Sequence, residues 1–320
     1  MTDAFVLDGC RVWVAGHNGM VGSAICRRLE KEDCEVVTVV RQEVDLRRQT
    51  ETEEWMAAER PDVVFLAAAT VGGIHANESR PADFIYDNLA IETNLIQAAK
   101  AIGVKKLLFL GSSCIYPRLA SQPMGEEALL SGPLEPTNRS YAIAKIAGIE
   151  MCRAYRRQFG CDFISAMPTN LYGPLDNFDL ETGHVASALM VKAHRAKQSG
   201  ASDMVVWGSG RPRRELMYVD DLADALVHLM KVYSDEPHVN VGTGEDVSID
   251  ELAHMICDVV GFRGALRYDG SRPDGTPRKL LDVSRLRSLG WTATTPLRDG
   301  LARTYDFYLK QLAGSAATRD

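Results

Sequence analysis

The stretch Arg11-Val12-Trp13-Val14-Ala15-Gly16-His17-Asn18-Gly19-Met20-Val21-Gly22 decides the fold class of this chain. Its first five residues are mostly apolar and suit a buried strand, and a helical pattern begins at Met20. Three glycines, spaced Gly-x-x-Gly-x-x-Gly, stand between the two elements. Such glycines let the backbone approach a pyrophosphate, and the helix that follows offers it unpaired N–H groups. The stretch therefore predicts a dinucleotide-binding turn near the start of an α/β domain.

The type of dinucleotide is indicated by the residue after the second predicted strand. That strand, Glu35–Val40, is followed by Arg41. An acidic residue at this place binds the ribose hydroxyl in NAD sites, whereas an arginine suits the extra phosphate of NADP through paired hydrogen bonds. A solvated surface arginine is the plainer explanation of the same residue. The sequence favours NADP(H) as the cofactor.

Short β-branched runs alternate with longer helical patterns over the first two-thirds of the chain. This alternation predicts a doubly wound α/β fold of the Rossmann type, in which helices cover both faces of a parallel sheet. After Pro168 the alternation loosens and predicts a smaller carboxyl-terminal lobe. We expect an NADP-binding Rossmann domain over residues 1–170, to which segments near 215–245 return, and a mainly substrate-binding lobe over residues 171–320. The predicted strands are Arg11–Ala15, Glu35–Val40, Asp62–Ala67, Lys105–Gly111, Asp162–Met167, Met204–Val206 and Val239–Val241, and the predicted helices are Met20–Glu32, Gln49–Glu59, Pro81–Ile102, Arg139–Phe159, Val185–Gln198, Asp220–Val232, Ile249–Val260 and Leu297–Leu312.

Charge and composition exclude several classes of partner. A formal net charge of -7 and a pI of about 5.6 provide no global cationic field for nucleic acid. No apolar run is long enough to span a bilayer, and the amino terminus lacks a secretory pattern, so we expect a cytoplasmic protein without a membrane partner. Seven cysteines without a Cys-x-x-Cys pair argue against a disulfide framework and a structural zinc site, and we expect no metal.

A candidate catalytic group follows the strand Lys105–Gly111. Ser112 comes directly after that strand, and a helical pattern further on carries Tyr141 and Lys145 on one face. An ammonium near a phenol favours the phenolate, so we expect Lys145 to lower the pKa of Tyr141 from its usual value of about 10. A serine hydroxyl at the same point can hold the oxygen of a carbonyl under reduction. Tyr-x-x-x-Lys alone arises by chance on many helices, but after a glycine turn and a serine-ended strand it predicts an oxidoreductase.

The order of these elements resembles the extended short-chain dehydrogenase/reductase family, which acts on nucleotide-sugars. Within it, the chain is similar to the branch that epimerises and reduces GDP-4-keto-6-deoxy-D-mannose. The similarity covers nearly the whole chain, and its most specific strings are Gly-Ser-Ser-Cys-Ile-Tyr-Pro at 111–117 and Pro-Asp-Gly-Thr-Pro-Arg-Lys at 273–279. The other matching segments are 15–22, 67–69, 71–74, 81–85, 108–110, 134–138, 141–148, 167–174 and 206–210.

The resemblance implies an NADPH-dependent reaction with epimerisation at sugar carbons 3 and 5 and hydride transfer to carbon 4. It assigns the acid and base work of epimerisation to Cys114 and His184, because a thiol and an imidazole both exchange protons near neutral pH. Sugar-nucleotide dehydratases carry an acidic pair where this chain has Ser113-Cys114, which disfavours dehydration. The catalytic residues that the resemblance implies are Ser112, Cys114, Tyr141, Lys145 and His184.

The same resemblance implies two sets of binding residues. Asn18 stands where some family members have a basic residue near the NADP phosphate, and Lys192 stands where some have arginine. The implied substrate contacts are Lys192, Trp207, Arg214 and Asp274. The implied cofactor contacts are Gly16, His17, Asn18, Gly19, Met20, Val21, Gly22, Arg41, Leu110, Gly111, Ser112, Ser113, Lys145, Pro168, Thr169, Asn170, Leu171 and His184.

Several alternatives stay open from the sequence. Cys114 can be a packing residue, and His184 can cap the helix that begins at Val185. The substrate can be another GDP-4-keto sugar, such as a dideoxy hexose or a heptose, with one centre epimerised or none. A non-catalytic NADP-binding sensor on the same scaffold is a more distant alternative. The resemblance also implies a homodimer, formed through the two long helices near Asn88–Ile102 and Arg139–Phe159.

Overall fold

The structure, a computed structural model, describes residues 4–180, 182–271 and 274–317, and these contain twelve strands and ten helices. The strands are β1 (Arg11–Ala15), β2 (Glu35–Val37), β3 (Val63–Leu66), β4 (Lys106–Leu110), β5 (Phe163–Pro168), β6 (Asn170–Tyr172), β7 (Asp203–Trp207), β8 (Arg213–Tyr218), β9 (Val239–Val241), β10 (Asp246–Ser248), β11 (Ala265–Asp269) and β12 (Arg278–Lys279). The helices are α1 (Met20–Leu29), α2 (Gln49–Glu59), α3 (Ile74–Ser79), α4 (Pro81–Ile102), α5 (Arg139–Phe159), α6 (Val185–Gln198), α7 (Val219–Val232), α8 (Ile249–Val260), α9 (Ser284–Ser288) and α10 (Leu297–Ala317).

Six strands form a parallel central sheet in the order β2-β1-β3-β4-β5-β9. Side chains alternate between its two faces, so Val12 and Val14 of β1 join the core beneath α1 and α7, while Trp13 joins the core beneath α2, α4 and α5. Helices therefore cover both faces. The predicted fold class, a doubly wound parallel sheet, is confirmed.

The strand order changes direction between β1 and β3. From β1 the chain first adds β2 on one side, and it then adds β3, β4, β5 and β9 on the other. Doubly wound folds bind ligands in the crevice at the carboxyl ends of the strands beside such a reversal. The glycine turn after β1 lies at that position.

A smaller group of elements packs around a separate core. β7 pairs with β11, and β8 pairs with β6, β10 and β12. Helices α6, α8 and α10 enclose a cluster that includes Met190, Val206, Ile256 and Leu301. None of the described helices is both long and apolar enough to cross a membrane.

The predicted helices agree with the structure more closely than the predicted strands do. Helices α2, α4, α5, α6 and α8 begin and end at the predicted residues. Strand β2 ends at Val37 and not at Val40, so Arg41 does not end the strand, and that part of the prediction is wrong. Strands β6, β8, β10, β11 and β12 were not predicted, because they are short or carry charged residues that resemble loop sequence.

A buried polar network fixes the chain that follows β4. The Tyr116 hydroxyl donates to Oδ1 of Asn240 on β9 at 2.6 Å and lies 2.9 Å from Nε2 of His238. The Arg153 guanidinium lies 3.2 Å from Nδ1 of the same imidazole. Burial lowers the pKa of His238 to about 3, and the positive charges of Arg153 and Arg285 add to this shift. His238 is therefore a neutral structural histidine.

We expect the free energy of unfolding to fall as the pH decreases from about 6.5 towards 3. In this range the unfolded chain protonates His238 and the folded chain does not, which costs up to about 1.4 kcal/mol per pH unit. His238→Gln removes this contribution. The slope of its free energy of unfolding against pH should therefore be smaller by up to about 1.4 kcal/mol per pH unit, which corresponds to one proton. Urea denaturation between pH 7.5 and 4.5 measures the slope. His254→Gln, which changes an exposed histidine, is the control. Equal slopes for His238→Gln and the wild type would contradict the prediction.

Candidate active site

The turn between β1 and α1 has no space for a side chain at two of its three glycines. Gly16 has φ +89°, in the left-handed region, and a Cβ there would lie 2.6 Å from the backbone nitrogen of Ala68. A Cβ at Gly22 would overlap the carbonyl oxygen of Gly16. At Gly19 a Cβ would meet that oxygen at an ordinary 3.5 Å. The turn therefore packs tightly against the end of β3 and presents bare backbone at the reversal of the strand order.

The amino terminus of α1 fits the phosphates of a dinucleotide. Gly19 at the N-cap places no side chain over the first N–H groups, and the first turn contains no acidic residue. The Nδ1 atom of His17 is buried and has no hydrogen-bond partner within the described residues. Unpaired polar groups of this kind suit a bound anion. The other residues of the predicted turn are Asn18, Met20 and Val21, and Asn18 is exposed.

Arg41 lies in the exposed segment after β2. Its guanidinium is close enough to Asp45 to contribute to the lowered pKa of that carboxyl, for which the hydrogen bonds from Arg47 are the main cause. An exposed arginine beyond the end of β2 can still reach a phosphate, because its side chain is long and always charged.

The ends of β4 and β5 carry the other predicted cofactor residues. Thr169 donates its N–H to the carbonyl of Val241 at 3.0 Å, and the Asn170 amide donates to the carbonyl of Glu215 at 2.9 Å. The first bond lies within the central sheet, between the ends of β5 and β9, and the second joins this edge to β8 of the smaller group. The predicted residues at these two strand ends are Leu110, Gly111, Ser112, Ser113, Pro168, Thr169, Asn170 and Leu171.

The chain after β4 brings three predicted catalytic residues together. The residues after Ser112 form a short 3₁₀ turn over Ser113–Ile115. The Ser112 hydroxyl lies 3.1 Å from the Cys114 thiol, and it hydrogen-bonds the Tyr141 phenol. A thiol, a hydroxyl and a phenol therefore meet at one point, beyond the carboxyl end of a central strand.

The surroundings of Lys145 differ from those that the sequence predicted. It shares a face of α5 with Tyr141, but its ammonium lies 3.0 Å from Oε1 of Glu92 on α4, and both of these side chains are buried. Burial raises the pKa of Tyr141 well above its usual value, the charges of Cys114 and Glu92 raise it further, and the hydrogen bond with Ser112 opposes them. The predicted lowering of the Tyr141 pKa is not found, because burial of the phenol is the largest cause and acts in the opposite direction.

Asn138 is a site residue that the sequence reasoning missed as an individual contact. Its amide nitrogen donates to the carbonyl of Cys114 at 3.1 Å, which holds the 3₁₀ turn against the start of α5. Its Oδ1 atom is buried and has no hydrogen-bond partner among the described residues. The segment 134–138 was noted only as part of a matching string, and its asparagine next to Arg139 at the start of α5 was the available signal.

His184 occupies the N-cap of α6, but its side chain makes no capping hydrogen bond. Its Nδ1 atom lies 3.7 Å from Oδ1 of Asp176, whose side chain is 2% exposed. The loop before His184 touches Gly73 at the start of α3, where the Gly73 N–H donates to the carbonyl of Thr182 at 3.3 Å. Asp176 was missed because it lies in a polar loop with no periodic pattern.

Four predicted substrate residues form a second group on the smaller core. The Lys192 ammonium lies 4.1 Å from the ring centroid of Trp207 at the end of β7. Asp274 accepts hydrogen bonds from the N–H and the hydroxyl of Ser209, at 2.8 and 2.6 Å. The Arg214 guanidinium is partly buried, which lowers its pKa, and it donates to the carbonyl of Thr276 at 2.6 Å.

Lys279 connects the two groups. It pairs with Arg214 in the register of β12 and β8, and it lines the same narrow cleft as Cys114 and Glu135. Burial lowers the pKa of Lys279, and the charge of Cys114 opposes this shift. The sequence reasoning quoted Lys279 within a matching string but did not assign it a role.

We expect Gly22→Ala to lower the free energy of unfolding by about 2 kcal/mol or more and to weaken NADPH binding at least about tenfold, because the backbone must move to admit the methyl group. Alanine inside a helix ordinarily stabilises it relative to glycine, so the sign of the change is diagnostic. Gly19→Ala is the matched control, and it should cost less than about 1 kcal/mol. Urea denaturation and fluorescence titration with NADPH measure the two effects. Equal stability of the two variants would contradict the expected overlap.

Comparison with known proteins places this architecture in a family. The model of the NAD dependent epimerase/dehydratase family matches residues 12–242. GDP-L-fucose synthase from Sinorhizobium fredii is 58% identical over 309 residues, which are 97% of this chain and 98% of that protein. The solved structure of a GDP-6-OMe-4-keto-L-xylo-heptose reductase from C. jejuni is 35% identical with a TM-score of 0.88, and the match covers 96% of this chain and 99% of that one. A GDP-L-fucose synthetase from Naegleria fowleri bound to NADP is 30% identical with a TM-score of 0.90 and 98% coverage of both chains.

These similarities extend over nearly the full length of each relative. The family resemblance that the sequence suggested is confirmed. The chain belongs to the NAD dependent epimerase/dehydratase family, the extended short-chain dehydrogenase/reductases.

Proposed function

We propose that this chain uses NADPH to convert GDP-4-keto-6-deoxy-D-mannose to GDP-L-fucose, by epimerisation at carbons 3 and 5 and reduction at carbon 4. The observation that carries the proposal is the cluster of Ser112, Cys114 and Tyr141, with the thiol 3.1 Å from the serine hydroxyl. A reductase needs only the hydroxyl and the phenol, whereas epimerisation also needs a group that exchanges protons with carbon. The 58% identity to GDP-L-fucose synthase from S. fredii supports this activity.

The ketone at carbon 4 of such a sugar makes the hydrogens on carbons 3 and 5 acidic. Inversion of these carbons requires a base on one face of the sugar and an acid on the other. Cys114 and His184 share this work, and Asp176, 3.7 Å from Nδ1 of His184, leaves Nε2 to face the substrate. Ser112 and Tyr141 hold the carbon 4 oxygen while its negative charge develops.

The reduction uses the same oxygen contacts. NADPH, when bound, supplies the hydride that reduces carbon 4. Tyr141 donates its phenolic proton to the carbon 4 oxygen and regains a proton from solvent. The cofactor is held by the glycine turn at 16–22, Arg41, the ends of β4 and β5, Lys145 and His184. The bare backbone of the tight turn at Gly16 and Gly22 and the unpaired His17 nitrogen fit it.

The smaller group of elements binds the nucleotide end of the substrate. Lys192, Arg214 and Lys279 provide positive charge for the pyrophosphate, and the exposed face of Trp207 suits the base or the sugar. Asp274 fixes the loop at Ser209 beside Trp207. The assignment of residues 1–170, with the return near 215–245, to a cofactor domain and of residues 171–320 to a substrate lobe stays a prediction.

A second candidate is the same chemistry, or reduction alone, on another GDP-4-keto sugar. The 35% identity to a GDP-linked keto-heptose reductase favours this alternative over unrelated activities. For a heptose, the second substrate carries a longer substituent at carbon 5, which the pocket must accommodate. Turnover of one sugar and not of the other distinguishes them.

We expect GDP-4-keto-6-deoxy-D-mannose and NADPH in deuterated water to give a product that carries deuterium at carbons 3 and 5. Cys114→Ser or His184→Ala should lower this incorporation at least about 100-fold, because each removes one of the two proton-exchanging groups. NMR of the product measures the position and amount of deuterium. Cys161→Ser, which changes a free thiol at the far end of α5, is the control.

Two results would contradict the proposed reaction. NADPH oxidation without deuterium uptake would indicate a plain reductase. Absence of both, together with turnover of a GDP-4-keto-heptose, would favour the second candidate.

We also propose that two copies of the chain pair through α4 and α5. Tyr86 on α4 is 63% exposed and Ile143 on α5 is 40% exposed, although both helices otherwise pack against the central sheet. Small residues continue the same outer face, so a second pair of helices can approach closely. We define this outer face by Tyr86, Ala90, Thr93, Ile143, Ala147 and Ala154.

The proposed homodimer predicts a mass of twice 35.2 kDa in light scattering at micromolar concentration. Ile143→Asp should weaken the dimer at least about tenfold, because each interface then contains two buried aspartates. Leu119→Asp, at an 87% exposed position away from both helices, is the control. A monomeric wild type would overturn the proposal.

We place the enzyme in the cytoplasm. All seven cysteines are free thiols in the structure, which suits a reducing compartment. The substrate is a nucleotide-sugar, and the proposal includes no nucleic-acid or membrane partner.

A further inference from the structure

The short turn that carries Cys114 cannot supply a hydrogen-bond donor to the carbonyl of that residue. N–H groups of this 3₁₀ turn donate to carbonyls three residues earlier, and the last such bond runs from Tyr116 to Ser113 at 3.4 Å. The next bond would run from residue 117 to Cys114, but Pro117 has no N–H. The chain also leaves the turn at Tyr116, whose ψ of 155° is the extended conformation that a following proline favours. The carbonyl of Cys114 therefore needs a donor from outside the turn.

Asn138 supplies that donor. Its amide nitrogen lies 3.1 Å from the carbonyl oxygen of Cys114. Asn138 is also the N-cap residue of α5, a position at which an asparagine side chain ordinarily accepts a hydrogen bond from an N–H of the first helical turn. Here the side chain makes no such capping bond. It bonds the turn after β4 and not its own helix.

Helix stability does not explain this arrangement. The first N–H groups of α5 have no side-chain cap from Asn138, and its Oδ1 atom is buried without a hydrogen-bond partner among the described residues. Both features reduce the free energy of unfolding. Side chains that depart from the local preference in this way are expected at functional sites.

The bond joins two parts of the proposed catalytic cluster. Cys114 lies in the turn after β4, with its thiol 3.1 Å from the Ser112 hydroxyl. Tyr141 follows Asn138 by three residues and lies in the first turn of α5. The amide of Asn138 therefore fixes the backbone of the thiol residue against the helix that carries the phenol.

We propose that Asn138 is a positioning residue for proton exchange by Cys114, because it holds the carbonyl of Cys114 and thereby keeps the thiol directed at the sugar carbons. This inference rests on the proposed function, since it concerns the epimerisation that precedes reduction. Transfer of a proton to or from carbon depends steeply on the placement of the reacting atoms. NADPH binding relies on the glycine turn and on other strand ends, so a change at Asn138 should leave it intact.

The hydrogen bond can be observed without substrate or cofactor. Cys114-Ile115 is the only Cys-Ile pair in the sequence, so protein with ¹³C at the cysteine carbonyl and ¹⁵N in isoleucine gives one correlated NMR signal. A hydrogen bond to a carbonyl moves its ¹³C signal to higher chemical shift. Asn138→Ser, with a side chain too short to reach the carbonyl, should move the signal to lower chemical shift. An unchanged signal would overturn the proposal.

The placement of the thiol is measured by its reaction with iodoacetamide, with mass spectrometry to resolve the separate cysteines. In Asn138→Ser and Asn138→Ala we expect Cys114 to be alkylated at least about threefold faster than in the wild type, because the freed turn exposes the partly buried thiol more often. The buried thiols of Cys10, Cys152 and Cys257 are internal controls and should react at unchanged rates. Faster alkylation of all four cysteines would indicate general loosening and would contradict a specific role of Asn138.

Comparison of the two variants separates positioning from stability. Serine is a good N-cap and alanine is not, so Asn138→Ala should have a lower urea midpoint than Asn138→Ser. Both variants lack the amide, so both should lose deuterium incorporation at carbons 3 and 5 of the sugar to the same extent, at least about tenfold. NADPH affinity should be unchanged in both. A loss of incorporation that follows the stability of each variant would make Asn138 a structural residue and overturn the proposal.

Asn94→Ser is the matched control. The Asn94 amide on α4 also donates to a backbone carbonyl, that of Leu46 at 3.0 Å. Its replacement should leave the Cys114 carbonyl signal, the alkylation rate and the deuterium incorporation as in the wild type. If the wild type does not convert GDP-4-keto-6-deoxy-D-mannose, the proposed function fails, whereas the NMR signal and the alkylation rates still decide whether Asn138 holds the thiol in place.

Discussion

All six strands of the central sheet run in the same direction, and this constraint brings the functional residues together. Parallel strands end at one edge, so the glycine turn after β1, the Ser112–Cys114 segment after β4 and the Thr169 segment after β5 all lie there. The contacts at that edge are close, as the Cβ positions of Gly16 and Gly22 show. Without the parallel arrangement, residues from these three distant parts of the sequence would not meet.

Local signals explain which elements the sequence could predict. Helix α4 begins with Pro81 and is followed by Gly103 at φ +78°, and α8 begins with a capping box formed by Ser248 and Glu251. Such signals lie within a few residues of the helix ends, so the predicted ends were correct. The buried strands β1, β3, β4 and β5 were recognised for a similar reason, because their runs of apolar residues are continuous.

Elements and contacts that depend on distant partners could not be predicted. Strand β8 begins with Arg213 and contains the fully buried Glu215, so its sequence resembles that of a polar loop. Its carboxylate is accommodated because it accepts N–H groups from Gly244 and Leu281, far along the chain. Glu92 was overlooked for the same reason, since only the packing of α4 on α5 places it beside Lys145. The family resemblance identified the lysine, but it did not identify the carboxylate that pairs with it.

The segment 274–279 has a consequence for how the protein would use a complete substrate. Asp274 accepts a hydrogen bond from the Ser209 N–H, in the loop beside Trp207. The carbonyl of Thr276 accepts a hydrogen bond from Arg214, and Lys279 lines the same cleft as Cys114. One short length of chain therefore touches both the proposed nucleotide end and the proposed reacting end of the site. Binding energy from a distant part of a substrate can serve to orient the atoms that react. A keto-sugar without its nucleotide would then bind more weakly and also react more slowly. No contact at the nucleotide end would hold the segment 274–279 beside the thiol of Cys114.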